Sequence, residues 1–196
     1  MDCKTKEGIM RTVLVTIMAL AAVATASERS QLEIGVGGGA WMPAVFDSDA
    51  GLSPGPSVEV SLQIPPSLGN VFVIEAGYMS CGSDSDDYSG ATALPLTVGY
   101  RMYPFYRTYA GPRGIEPLLG LYGGGMLLWD SPEGNADKTN TGAGVIGAEL
   151  GARIHVSESV SMDLVVSPQW IPAGSAVAGE SDKDMSGLQI SASLAF

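Results

Sequence analysis

The sequence has few of the residues from which catalytic and metal sites are usually built. It contains one histidine, His155, and two cysteines, Cys3 and Cys81, in 196 residues. A disulfide framework needs several cysteines, and zinc is held mainly by cysteine and histidine. We therefore expect no disulfide-stapled fold, no metal site and no cofactor, and we interpret Cys81 as a packing residue.

Basic residues and long apolar runs are also scarce. Ten Lys and Arg stand against twenty-one Asp and Glu, which gives a net charge of −11. A nucleic-acid-binding surface needs basic groups for the phosphates, so we expect no nucleic-acid partner. Beyond the first residues no segment approaches the roughly 18 consecutive apolar residues that indicate a membrane-spanning helix. A helical membrane protein is therefore excluded.

The beginning of the chain has the pattern of a targeting segment. Three basic side chains precede an apolar run over residues 13–24 that only a threonine interrupts. Ala24 and Ala26 then supply the small-x-small pattern that a signal peptidase recognises. The sequence predicts a secretory signal peptide over residues 1–26, cleaved after Ala26, and one mature domain over residues 27–196.

Alternation of apolar and polar residues recurs through the mature chain. Residues 57–64 show it most clearly, because every even-numbered residue is apolar and every odd-numbered residue is polar. This period of two is that of a β-strand whose faces meet different surroundings. Eight segments follow the pattern, and they cover residues 31–42, 57–64, 70–81, 93–103, 116–129, 143–156, 160–171 and 188–196.

The connections between these segments alternate in length. The long, polar ones cover residues 43–56, 82–91, 130–142 and 172–187, and the others cover residues 65–69, 104–114 and 157–159. Long loops at one end and mostly short turns at the other are typical of transmembrane β-barrels. The sequence therefore predicts an all-β fold, an eight-stranded antiparallel up-and-down transmembrane β-barrel with both termini at the short-turn end.

The residues on the polar face of the strands indicate which side of the barrel meets lipid. A soluble barrel such as a lipocalin has the same alternation with its apolar face inward, and it remains the alternative. The strands here nearly lack lysine, whereas a soluble exterior carries dense mixed charge. Charges placed inside can neutralise one another, while an arginine facing lipid at the midplane costs about 2–4 kcal/mol. We predict an interior charge network of Glu33, Glu59, Glu75, Arg101, Glu149, Arg153, His155 and Asp163.

The last residues carry a family resemblance. Apolar side chains alternate up to a terminal aromatic residue, at Leu188, Ile190, Ala192, Leu194 and Phe196. This resembles the C-terminal signature that the barrel-assembly machinery reads in bacterial outer-membrane barrels. The glycine-rich segment 144–153 is similar to the small barrels grouped with OmpA, OmpX and OmpW. The resemblance implies an outer-membrane location, contact with outer-membrane lipids and lipopolysaccharide, assembly by that machinery, and a monomer.

Two further features suggest sites, but we interpret both as structural. His155-Val156-Ser157 has the His-x-Ser spacing of the lipid A deacylases, yet it lies at a short turn, and Gln169 stands where that family has an acidic partner. A base at the wrong leaflet cannot reach its substrate, so we predict no catalytic residue. Acidic residues mark all four long loops and would suit Ca²⁺ or Mg²⁺, but their spacing forms no calcium loop, and solvated charge is the simpler interpretation.

Three functions remain to be compared. The first is a non-enzymatic barrel with a plugged polar lumen and a structural or surface-interaction role. The second, implied by OmpW-like barrels, is passage of small apolar compounds, which would need an apolar upper lumen and a lateral gap. The inward candidates for that lumen are Trp41, Leu118, Tyr122, Met126 and Leu128. The third is an outer-membrane lipid-modifying enzyme, which the position of His155 disfavours.

Overall fold

The computed structural model describes residues 32–43, 51–67, 69–83, 88–105, 114–132, 140–157, 159–171 and 185–196. The expected signal peptide and its cleavage residues Ala24 and Ala26 lie outside these ranges, as do most residues of the predicted long loops. Within them, no helix is long and apolar enough to cross a membrane.

The described residues form one antiparallel sheet that closes on itself. Its strands are β1 (Glu33–Pro43), β2 (Leu52–Ser53), β3 (Gly55–Ser67), β4 (Asn70–Ser83), β5 (Tyr88–Met102), β6 (Ile115–Pro132), β7 (Asn140–His155), β8 (Ser161–Trp170) and β9 (Gly187–Ala195). The short β2 pairs with the end of β4, and the other eight strands form the wall. Each wall strand pairs with its neighbours in chain order, so the sheet has an up-and-down topology.

The first and last strands complete the wall. Their register runs from Gly35 opposite Ala195 to Pro43 opposite Gly187. Two further bonds extend this pairing, since Ile34 N donates to Phe196 O at 3.1 Å and Phe196 N donates to Ile34 O at 3.0 Å. A closed barrel leaves no free sheet edge along such a seam. The predicted eight-stranded antiparallel barrel is confirmed.

Several strands extend further than the alternation indicated. β5 begins at Tyr88 and β7 begins at Asn140, both inside predicted loops. The predicted loop 43–56 also contains β2 and the start of β3. Gly, Ser and Asn are usual in turns, but here the neighbouring strand supplies their backbone hydrogen bonds, as where Asn140 pairs with Trp129.

The wall has an apolar outer face and a largely polar inner face. Outward side chains such as Leu121 and Leu96 are 70% and 60% exposed, whereas Arg101 and Asp163 are buried at 3% and 0% exposure. This distribution is the reverse of a soluble globule and is that of a transmembrane barrel. The same distribution shows which residues of β6 face the lumen, because Leu118 is buried at 1% exposure while its neighbour Leu119 is 39% exposed.

Two apolar clusters occupy the ends of the lumen. The upper cluster lies towards the long-loop rim, the end of the barrel at which the predicted long loops join the strands. It consists of Trp41, Met79, Cys81, Ala91, Ala93, Met126, Leu128, Val145, Ile171 and Met185. The lower cluster consists of Val71, Val73, Tyr103, Leu118 and Val165. Most of its residues lie near the short-turn rim, the opposite end.

Candidate functional site in the barrel interior

The predicted charge-network residues come from six strands of the wall. Glu33 lies on β1, Glu59 on β3, Glu75 on β4 and Arg101 on β5, while β7 and β8 carry the other four. Their alternation with outward apolar residues places them on the inner face. The structure brings most of these side chains into direct contact through two arginines, and His155 lies apart from them.

Arg101 is the centre of the first group of contacts. Its Nε donates to Glu149 Oε2 at 2.6 Å and its Nη2 donates to Glu149 Oε1 at 2.8 Å. Glu75 lies 3.5 Å from Nη2, and Asp163 lies 3.7 Å from Nη1. Two parallel bonds between a guanidinium and a carboxylate are among the stronger hydrogen bonds in proteins. Arg101 and Glu149 therefore form a fixed cross-link through the lumen.

Arg153 is the centre of the second group. Its Nε and Nη2 donate to the two carboxylate oxygens of Asp163 at 2.7 and 2.9 Å. Its Nη1 donates to Glu33 at 3.1 Å, and its Nη2 also donates to Gln63 Oε1 at 2.5 Å. The guanidinium carbon lies 4.8 Å from the centre of the Tyr103 ring, a cation–π contact. Because Asp163 also contacts Arg101, the two groups form one network.

Glutamine side chains extend this network, and the sequence analysis missed them. Gln189 Nε2 donates to Glu59 Oε2 at 2.9 Å, and Gln169 Nε2 donates to Gln189 Oε1 at 2.7 Å. All three glutamines, Gln63 included, are at most 5% exposed. An amide can both donate and accept, so Gln189 supplies Glu59 with a donor without adding a charge. Their position on the polar face of predicted strands was the signal that could have identified them.

His155 belongs to a separate group at the short-turn rim. Its Nε2 lies 3.3 Å from Glu116 Oε1, and its Nδ1 lies 3.1 Å from Ser161 Oγ. Glu116 is only 1% exposed. The sequence analysis placed His155 with the arginines and did not consider Glu116, because alternation does not show which residues of β6 and β7 lie side by side. In the structure Glu116 faces Arg153, two residues before His155.

The upper lumen is lined by buried apolar side chains. Trp41, Met126 and Leu128 belong to the upper cluster and Tyr122 packs against it, whereas Leu118 belongs to the lower cluster. Trp41 and Met185 have no solvent exposure at all. The five inward candidates therefore lie in the lumen, but at two different heights.

Asp130 was interpreted as a solvated loop charge, but the structure buries it. Asp130 is 1% exposed and lies near the end of β6, because that strand continues to Pro132. Within the described part of the chain, no three His, Cys, Asp or Glu side chains are placed to hold a metal ion. The acidic residues of the predicted loops lie mostly outside the described ranges.

β7 extends beyond the described part of its neighbour β8. β7 pairs with β6 up to Asn140, but its pairing with β8 stops where Ile146 faces Trp170. Six further residues at about 3.3 Å each correspond to about 20 Å of strand. Over residues 140–145, β7 has a described partner strand on one side only.

The fold is shared with solved membrane proteins. Neither a protein-family model nor a curated protein matches the chain. Eleven solved chains do match. Neisserial surface protein A is 14% identical with a TM-score of 0.59, over 85% of this chain and 96% of that one. The chain has the fold of the small outer-membrane β-barrels.

Two further solved barrels have weaker similarity. The N-terminal barrel domain of Pseudomonas aeruginosa OprF is 8% identical with a TM-score of 0.47, over 85% of this chain and 97% of that one. Ail of Yersinia pestis is 12% identical with a TM-score of 0.45, over 84% and 96%. At such identities the likeness concerns the fold alone.

Proposed function

We propose that the protein is a non-enzymatic outer-membrane barrel that plugs its own lumen and acts at the cell surface through its long-loop rim. The observation that carries this proposal is the set of ion pairs on the inner face of the wall. Arg101 and Arg153 cross-link the wall through bonds of 2.6–3.1 Å to Glu149, Asp163 and Glu33. Eight strands leave an interior wide enough only for side chains, so we expect these side chains to close the lumen.

The long-loop rim is suited to contact with other molecules. β7 extends beyond the described part of β8, and residues 140–145 of β7 carry no charge and no proline. Such an edge accepts an extended peptide through backbone hydrogen bonds. The surrounding predicted loops are acidic, so they favour cationic partners, or lipopolysaccharide phosphates bridged by divalent ions.

The location and assembly of the protein belong to the same proposal. A signal peptide over residues 1–26 would deliver the chain across the inner membrane, and the termini would stay on the periplasmic side. The barrel-assembly machinery would read Leu188, Ile190, Ala192, Leu194 and Phe196. In the structure this segment is β9 and the residue after it, which complete the wall against β1. We expect a monomer surrounded by outer-membrane lipids and lipopolysaccharide.

Conductance in planar bilayers tests the plug. We expect the purified mature barrel to insert without single-channel current steps in 1 M KCl, because two arginine cross-links and the upper cluster block the lumen. A general porin inserted under the same conditions serves as the positive control. Regular current steps from the wild-type barrel would contradict the plugged lumen.

Passage of small apolar compounds is the second candidate, and one observation favours it. The upper lumen is apolar, and it lies beside the part of β7 above Ile146, which among the described strands pairs with β6 only. We expect cells that produce the barrel to take up a fluorescent apolar probe no faster than cells without it. Faster uptake that is lost in a Met126→Trp variant, which would crowd the upper cluster, would favour transport instead.

A further inference from the structure

Three polar side chains meet at the short-turn rim, below the charge network. Glu116 lies near the start of β6, His155 ends β7, and Ser161 begins β8. Ser161 Oγ is 3.1 Å from His155 Nδ1, and His155 Nε2 is 3.3 Å from Glu116 Oε1. The three groups therefore form a hydroxyl, imidazole and carboxylate relay.

The backbone holds this relay in place. His155 and Ser161 face each other in the β7–β8 ladder, and His155 N donates to Gly114 O at 3.2 Å. The turn between the strands is fixed by two bonds to Val160 O, from Val156 N at 2.9 Å and from Ser157 N at 3.0 Å. Positions set by a strand ladder are more rigid than positions on a free loop.

The buried carboxylate decides which nitrogen of the imidazole carries the proton. Glu116 is 1% exposed, and its Oε1 makes no hydrogen bond to any described residue, so its 3.3 Å approach to His155 Nε2 is an ion-pair contact and not a hydrogen bond. A carboxylate beside Nε2 favours the proton on that nitrogen, which leaves a lone pair on Nδ1. That lone pair accepts from the Ser161 hydroxyl. A hydroxyl bonded to a base that a third group orients is the arrangement of an activated nucleophile.

Access distinguishes Ser161 from the serines deeper in the lumen. Ser161 is half-buried and the His155 side chain is 24% exposed, whereas Ser57 and Ser61 are 3% and 4% exposed. A reagent arriving at the short-turn rim therefore meets Ser161 before it meets the charge network.

We propose that Ser161 is a modification site, an activated nucleophile that accepts an acyl group from an acyl ester at the short-turn rim. Ser161 Oγ forms a bond to the acyl carbon while its proton passes to His155 Nδ1. The ester bond to the leaving alcohol breaks, and that alcohol takes the proton from His155. Glu116 is a positioning residue, because it acts only through the imidazole. The plugged-barrel proposal does not depend on this site.

The serine that the sequence spacing suggested is a different one. Ser157 lies two residues after His155, but its Oγ accepts from Ser159 N at 3.4 Å. The partner of the imidazole is instead Ser161, across the hairpin. Ser157 is therefore the matched control, since it lies on the same hairpin outside the relay.

A fluorophosphonate probe tests the proposal on the mature barrel folded in detergent micelles. The serine oxygen forms a bond to phosphorus, fluoride leaves, and the adduct is located by mass spectrometry. We expect labelling at Ser161, none at that position in Ser161→Ala, and an unchanged rate in Ser157→Ala. A general base contributes about 10²–10⁴-fold, so His155→Gln should slow labelling at least about 100-fold. Glu116→Gln should slow it less, and Glu116→Asp should restore part of the rate.

Each variant is first checked for folding by its heat-modifiable mobility on a gel, so that a lost label reports reactivity and not unfolding. The proposal is overturned if the folded wild type takes no label at Ser161. It is equally overturned if His155→Gln reacts as fast as the wild type, or if the label is on Ser157. None of these outcomes bears on the conductance test of the plug.

Discussion

Asp163 has a central place among the interior residues because both arginines reach it. It is fully buried, it accepts two bonds from Arg153, and it lies 3.7 Å from Arg101 Nη1. Burying such groups costs free energy unless the charges are paired and their remaining bonds are made. Removing one member therefore leaves its partners as uncompensated buried charges.

This reasoning predicts the effect of replacing Arg101 with methionine. Glu149 would lose both bonds to the guanidinium, and Glu75 would lose its cation at 3.5 Å. We expect the free energy of unfolding to fall by about 3–5 kcal/mol, as when one partner of a buried ion pair is removed. Urea unfolding in lipid vesicles, followed by tryptophan fluorescence, measures the change.

Two variants serve as controls for this prediction. Arg101→Lys keeps the charge but cannot make two parallel bonds, so it should lose less stability than Arg101→Met. Replacing Glu149 with leucine in the Arg101→Met background removes the unpaired charge and should recover part of the loss. An Arg101→Met barrel as stable as the wild type would show that the cross-link contributes nothing.

Among the strands, the wall is interrupted at two prolines. The β4–β5 pairing passes from Ala76 opposite Leu96 to Met79 opposite Ala93, so it skips Pro95. The β7–β8 pairing likewise skips Pro168. Proline has no N–H to donate to a ladder, so each interruption has a local chemical cause. On their other sides both prolines remain paired, with Met126 and with Leu188.

Two neighbouring glycines of β6 provide a prediction about packing in the wall. A Cβ at Gly124 would overlap the carbonyl oxygen of Leu96 on the adjacent strand, whereas a Cβ at Gly125 would find Ala143 O at an ordinary 3.7 Å. Overpacking costs typically about 1–3 kcal/mol. We expect Gly124→Ala to lose stability by that amount in urea unfolding and Gly125→Ala to stay within about 0.5 kcal/mol of the wild type. Equal stability of the two variants would contradict the close approach of β5 and β6 at Gly124.

The alternation of apolar and polar residues predicted the strands, but it did not predict the contacts between residues of neighbouring strands. Residues 57–64 show which side chains share a face, because that is decided by a period of two. In contrast, Leu118 and Leu119 are consecutive apolar residues, so the period alone does not show which of them faces the lumen, and the structure buries Leu118 at 1% exposure and leaves Leu119 39% exposed. The Glu116–His155 contact depends on the register of β6 with β7, and the Gln169–Gln189 bond depends on the register of β8 with β9. Local pattern carries no information on such pairs.

At the scale of the whole molecule, the two faces of the wall have opposite polarity. Buried polar and charged residues line the lumen, while large apolar residues cover the exterior, and Leu121, Leu96 and Leu127 are at least 60% exposed. In water this exterior would be an exposed apolar surface far larger than soluble monomers carry. In a bilayer the same surface lies against the lipid chains, and this contact stabilises the barrel.

The substitution Leu121→Arg tests whether the outer face of the barrel is in contact with lipid or with water. Leu121 lies on the outer face of the wall, away from both ends of β6, and is 70% exposed. If lipid surrounds it, an arginine there costs about 2–4 kcal/mol, and the variant should unfold at a lower urea concentration in vesicles and accumulate less in the outer membrane. Leu121→Met controls for the change of side chain, and Asn140→Arg places the same charge on the exposed hairpin, where we expect no loss. If Leu121→Arg matched Asn140→Arg in both measurements, the outer face would be in contact with water, and the barrel would be a soluble one.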